Sequence, residues 1–201
     1  MAASGLQWRG MRLKHSIWAL LAGGLILSGC VEAIGFGGGA ARSVLQGGFT
    51  IDAPAGYCMD AKASRETADN GIYLIGRCRQ HSPVAPALVT VSVGAPGSAS
   101  VMLAGGAELA AFFASDEGRA TLSAIGEASA VRVVEARSTE DVFLMLLQES
   151  GGPPYWRAII GMRGRLVSVS VRAAGDDALE IEAGRNVLDR AIAALQRANR
   201  L

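Results

Sequence analysis

Apolar positions along the chain change their period several times, and each change predicts a change of element. An apolar run with Gly23 and Gly24 in its middle occupies residues 17–27. Further on, Phe49 and Ile51 alternate with Thr50 and Asp52, a short strand start, and Pro54 and Gly56 turn the chain. Asn70-Gly71 introduces a compact β-type run at 72–75. Residues 88–93 alternate cleanly, with Val89, Val91 and Val93 on one face and Thr90 and Ser92 on the other. Successive strand side chains point to opposite faces, so this pattern predicts a strand.

The period then lengthens. Leu109, Phe112, Phe113, Ala120 and Leu122 fall at helical spacing, broken by Ser115-Asp116-Glu117-Gly118. That pattern predicts one helix and a second short one with Ser115 as its N-cap. Strands resume at Val131, Val133 and Val134. Residues 142–147 are apolar at every position, which predicts a strand buried on both faces. Strands at 155–160 and 166–171 follow, with turns at Gly151-Gly152-Pro153-Pro154 and Arg163-Gly164, so the last three strands form an antiparallel meander. A closing helix places Val187, Leu188, Ala191, Ile192 and Leu195 on one face, with Asp177 as its expected cap and Arg197 and Arg200 at its C-terminal dipole. The expected fold is α+β: an antiparallel sheet covered by a mid-chain helical segment and a C-terminal helix.

The amino terminus has the layout of a secretory signal: Arg12, Lys14 and His15 precede the apolar run, and small residues follow it. About a dozen apolar residues fall short of the ~20 that a membrane-spanning helix needs. Either Met1 or Met11 serves as the start, since both give a complete signal. The run ends in Leu27-Ser28-Gly29-Cys30, which resembles the lipobox of bacterial lipoproteins. That resemblance implies diacylglyceryl transfer to the Cys30 sulfur, cleavage before Cys30, and a further acyl chain such as palmitate on the new amine. Two or three chains give stable membrane anchoring, at roughly 0.8 kcal/mol per buried methylene. Val31, where an Asp would favour the inner membrane, implies an outer-membrane address facing the periplasm.

Residues 30–47 read as a lipidated cysteine and a glycine-rich tether, able to hold the domain off the membrane by roughly 20–25 Å. Gly35, Gly37 and Ala40 match G-x-G-x-x-A, but no strand precedes them and no βαβ unit follows, so nucleotide binding is not expected. The domain layout is thus 1–29 signal peptide, 30–47 tether, and 48–201 a single α+β domain. Its element order resembles the PsbP-like fold family, through the opening Phe49-x-Ile-x-Ala-Pro-x-Gly-Tyr57 and the end run 161–171 before an amphipathic helix. The resemblance implies an α/β/α sandwich and a binding or assembly role; it carries no site residue.

Composition adds two exclusions. Half of the 201 residues are apolar and 18% are charged, unlike a disordered chain. Three of the 19 basic residues (Arg9, Arg12, Lys14) and none of the 18 acidic ones precede Cys30, leaving 16 against 18 and a net charge of −2. A global basic field for nucleic acid is therefore absent.

Candidate chemistry is sparse. With Cys30 acylated, Cys58 and Cys78 form the remaining pair, which in an exported domain most simply makes a disulfide clamping a hairpin with a loop at 61–71. A redox pair would want C-x-x-C, and a zinc site more ligands than Cys58, Cys78 and His81 supply. His81 is the one histidine after Cys30, in a polar loop without a G-x-S-x-G elbow elsewhere. Asp116-Glu117, Glu140-Asp141 and Asp176-Asp177 sit at turns or helix starts, where solvation and capping explain them. Arg157, Arg163 and Arg165 come from one hairpin and Arg185, Arg190, Arg197 and Arg200 from the closing helix. Sharing a surface, they would meet lipid phosphates or an anionic envelope polymer; the default is solubilising charge opposite a core. The expected function is a non-enzymatic envelope module, membrane-bound through Cys30, with a protein partner and no cofactor or metal. The alternative is a periplasmic hydrolase or ligand-modifying enzyme with an unrecognised site near His81.

Overall fold

A computed structural model describes residues 39–79, 81–139 and 141–200. The lipobox, Cys30 and the first part of the tether lie outside the described residues. Two short strands, β1 (Arg42–Val44) and β2 (Phe49–Ile51), pair antiparallel as a separate hairpin. The main sheet contains β3 (Tyr57–Glu66), β4 (Gly71–Arg77), β5 (Ala87–Val93), β6 (Val131–Ser138), β7 (Val142–Glu149), β8 (Tyr155–Met162) and β9 (Arg165–Ala173). Its order is β3-β4-β5-β9-β8-β7-β6, antiparallel at every pairing. Between β5 and β6 lie a 3-10 segment (Ser98–Ala104) and helices α1 (Gly106–Ala114) and α2 (Asp116–Leu122); α3 (Ile181–Ala198) closes the chain. The protein is an α+β protein built on an antiparallel sheet.

Local chemistry explains the boundaries. Ser115 Oγ accepts from Gly118 N at 3.1 Å, which starts α2 at the expected cap. Arg163 (φ 50°) and Gly164 (φ 71°) both take the left-handed conformation, giving the β8–β9 hairpin the two-residue turn whose twist matches its strands.

Two hydrophobic clusters lie on opposite sides of the sheet. One joins Val187, Leu188, Ala191 and Leu195 of α3, and the β1–β2 hairpin, to the inward residues of β4, β5, β8 and β9. The other joins Leu109, Phe113 and Leu122 of α1 and α2 to Phe143, Met145, Leu147, Tyr155 and Ile159. Strand β7 feeds both, since Leu144 and Leu146 belong to the first cluster and Phe143, Met145 and Leu147 to the second. Its five central residues are buried, as its unbroken apolar run implied.

Three expectations need correction. The fold starts before residue 48: β1 pairs with β2, and Val44 and Leu45 are buried, so the later part of the expected tether is structure. Most of the supposed loop at 61–71 is strand. Asp60 Oδ1 accepts from Lys62 N (2.9 Å) and Ala63 N (3.1 Å), forming a bulge after which β3 re-pairs with β4. Asp177 does not cap α3; it pairs with Arg77 at 2.9 Å, and the helix begins at Ile181 without a side-chain cap.

Candidate binding face

The sheet has one face packed along its length and another packed along only part of it. Val89, Val91 and Val93 of β5 and Val167, Val169 and Val171 of β9 point towards α3 and the β1–β2 hairpin. Alternation turns Leu88, Thr90 and Ser92, and Leu166, Ser168, Ser170 and Arg172, to the other side. The cluster on that side draws on β6, β7, β8 and Leu166, and none of its residues comes from β3, β4 or β5. Leu74, Leu88, Thr90, Ser92 and Ser168 are half-buried there, and Ile72 is 49% exposed. A methyl added at Gly76 would meet nothing within 4 Å.

Register aligns these residues in rows across the strands. Leu74 opposes Thr90, Thr90 opposes Ser170, and Ser170 opposes Arg157. The neighbouring row runs Ile72, Ser92, Ser168, Ile159. Aliphatic side chains on β4 thus give way to hydroxyls on β5 and β9, and then to an arginine on β8.

At the arginine end stands a polar cluster. Arg172 Nη1 and Nη2 donate to Glu149 Oε2 and Oε1 at 3.0 and 2.5 Å, and Tyr155 OH donates to Oε1 at 3.0 Å. The Arg172 guanidinium stacks 3.6 Å from the Tyr155 ring centroid, and that of Arg157 lies 5.7 Å from it. Hydrogen bonding from Arg172, against a smaller opposing effect of burial, holds the Glu149 carboxyl below its ordinary range. Burial pushes the Tyr155 hydroxyl up despite both arginines. Burial pulls Arg172 down, but the bonds to Glu149 and the neighbouring Tyr155 outweigh it, so its net shift is upward. Arg157 is left over: its Nε is buried without an acceptor.

The other expected residues lie elsewhere. Arg165 is only 7% exposed and donates to the carbonyls of Asp69 and of Gly94, the latter at 2.8 Å. Its β8 neighbour Met162 belongs to the α3 side, so Arg165 leaves the sheet opposite to Arg157. Arg163 sits in the turn and donates from Nε to Gly48 O at 3.2 Å. The structure therefore does not bring Arg157, Arg163 and Arg165 onto one surface. Cys58 and Cys78 are joined by a disulfide at the edge-strand hairpin. His81 is exposed in the turn after β4.

Sequence reasoning missed Glu149, Tyr155 and Arg172. Alternation along 166–172 could have placed Arg172 beside Ser168 and Ser170, but bringing Glu149 to it required the β7–β8–β9 register. Another depression, of about 270 Å³, opens between α3 and β7 over Val142, Leu144 and Ile192. The arginines at its rim are paired already: Arg185 with Asp189 at 2.9 Å, and Arg137 with Glu135. Among the described residues, no helix is long and apolar enough to cross a membrane, and no group of three or more His, Cys, Asp or Glu could hold a metal ion.

No protein-family model and no curated protein matches the chain. Among solved structures, a point mutant of Protein Mog1 is similar at 10% identity and a TM-score of 0.46, covering 79% of this chain and 93% of that one.

Proposed function

We propose that the chain is an envelope lipoprotein, anchored through acyl chains on Cys30, whose domain is a non-enzymatic binding or assembly module facing the periplasm from the outer membrane. Its sheet and helices are taken to follow the PsbP-like sandwich arrangement. The observation that carries the address is Leu27-Ser28-Gly29-Cys30, placed where the apolar run ends. The Cys58–Cys78 disulfide supports it, because such bonds persist in oxidising compartments. The binding part rests on the half-covered sheet face, a surface with aliphatic side chains on β4, hydroxyl rows and a guanidinium whose Nε lacks an acceptor.

Intact-mass analysis of protein purified from envelopes tests the anchor. The expected chain begins at Cys30 with two or three acyl chains, and Cys30→Ser abolishes lipid labelling. A mature chain that begins elsewhere and fractionates as soluble protein would defeat the reading.

A further inference from the structure

Within the reading of this domain as a binding module, we infer that the open sheet face holds an extended segment of a protein partner, laid across the strands with a carboxylate on Arg157 and an aliphatic side chain on Ile72 and Leu74.

The carboxylate follows from charge. Tyr155 and Arg172 both bond to Glu149, Oε1 accepting from Tyr155 and Arg172 and Oε2 from Arg172, while Arg157 Nε finds no acceptor there. Arg157 keeps a buried Nε with no acceptor beside a ring it shares with Arg172. A guanidinium binds a planar carboxylate through two parallel hydrogen bonds; Arg157 is half-buried and its Nε is closed to solvent, so an incoming acid meets the outer end of the group.

The rest of the segment follows from register. Leu74, Thr90, Ser170 and Arg157 stand in one row on four adjacent strands. Three inter-strand spacings separate its ends, roughly 14 Å, or about four residues of extended chain. The middle of the row is hydroxyl, from half-buried Thr90 and from Ser170, which is 8% exposed. Hydroxyls suit the N–H and C=O groups of a peptide backbone and do not suit an acyl chain. The β4 part is aliphatic, with open space over Gly76 beside it and Ile72 49% exposed, and beyond it Asp60 and Arg65 of β3 stand opposite Leu74 and Ile72. A bare anion would use only the first of these features; an acid followed about four residues later by a leucine uses all of them.

The test uses full-length lipidated protein in detergent and a blocked pentapeptide, Glu-Ser-Thr-Ser-Leu. The readout is the NMR signal of the Arg157 Nε–H group, assigned by its loss in Arg157→Lys. A saturable shift is expected, weakened by about tenfold when Gln replaces the peptide Glu, as for loss of a charge-assisted pair. Replacing its Leu by Ser should also weaken binding. Ser170→Asp, which offers Arg157 an internal carboxylate, should abolish binding while leaving the melting temperature unchanged or higher. No saturable shift, or equal saturation by the Gln peptide, overturns the inference. Saturation by acetate or inorganic phosphate at the same concentration overturns it in favour of a simple anion site.

A second measurement separates this inference from the module reading. Photo-crosslinking residues are placed in cells at Ser168 on the open face and at Arg197 on α3. Crosslinks from Ser168 that vanish with Ser170→Asp support the inference. Crosslinks from Arg197 alone leave a binding module standing and overturn this face; crosslinks from neither count against both.

Discussion

Strands β5 and β7 belong to the same sheet and run for seven and eight residues, yet β5 buries every second side chain while β7 buries five in succession. The difference reflects what lies above and below each. Beneath β5 are α3 and the β1–β2 hairpin, and above it is a half-exposed surface; β7 has α3 on one side and α1 with α2 on the other. Because strand side chains alternate, the number of covered faces is written into the sequence as either alternation or a solid apolar run. Thr90 and Ser92 serve the same end, being β-compatible residues whose hydroxyls tolerate water.

The comparison breaks most clearly at β7. Leu144→Asp and Met145→Asp should each cost more than about 4 kcal/mol, because each buries an unpaired carboxylate on a different covered face. Denaturant melts of both variants check this; if either is harmless, that face is open. At the other end of the sheet, replacing both Cys58 and Cys78 by Ser should cost about 3 kcal/mol, the loop-closure effect expected for residues 20 apart. A negligible cost would show that β3 and β4 hold together without the bond.

Asn199 is next. Its side chain accepts from Thr50 N at 2.9 Å and donates to Thr50 O at 2.7 Å and Leu195 O at 2.8 Å, fastening α3 to β2. Asn199→Ala should cost about 2 kcal/mol by leaving buried groups unpaired, read as a lower denaturation midpoint.

Alkaline pH probes both ends together. Burial raises Tyr155; burial and then the Glu66 hydrogen bond raise Tyr73. The folded state therefore keeps protons that the unfolded chain releases above its ordinary value of 10.0. Their contribution is intact below that pH and lost as pH rises beyond it. Thermal melts from pH 9 upward should show the fall, with its onset shifted in Tyr73→Phe. The smallest effect belongs to the open face: Ser168→Asp should change stability by less than about 1 kcal/mol, a contrast with Met145→Asp measurable on the same melts.

How legible was this in the sequence? Periodicity located most strands and the helices, because burial on one or both faces leaves a direct trace, as at 88–93 and 142–147. It missed β3, much of which falls in the expected loop. It failed where long-range geometry decides. The β1 hairpin was hidden in a glycine-rich stretch, since Val44 and Leu45 are buried by partners distant in sequence. Asp177 looked like a helix cap because nothing in its neighbourhood announces Arg77, 100 residues earlier. The condition set on the arginine patch fails for a related reason: alternation sends Arg157 and Arg165 of one hairpin to opposite faces.

The placement of the disulfide has a mechanical consequence. A pull applied at Gly39 first meets its own hydrogen bond to Tyr57 O and then the β1–β2 hairpin, whose three paired positions can unzip one after another. Past Tyr57 the pull reaches Cys58, and the covalent bond carries tension directly to Cys78. Residues 59–77 are then bypassed, so the edge hairpin bears no tension along its own backbone. The next segment to be stretched leads into β5, deep in the seven-stranded sheet. A domain tugged from its amino-terminal side would thus give up a short, recoverable length of chain before meeting its strongest resistance.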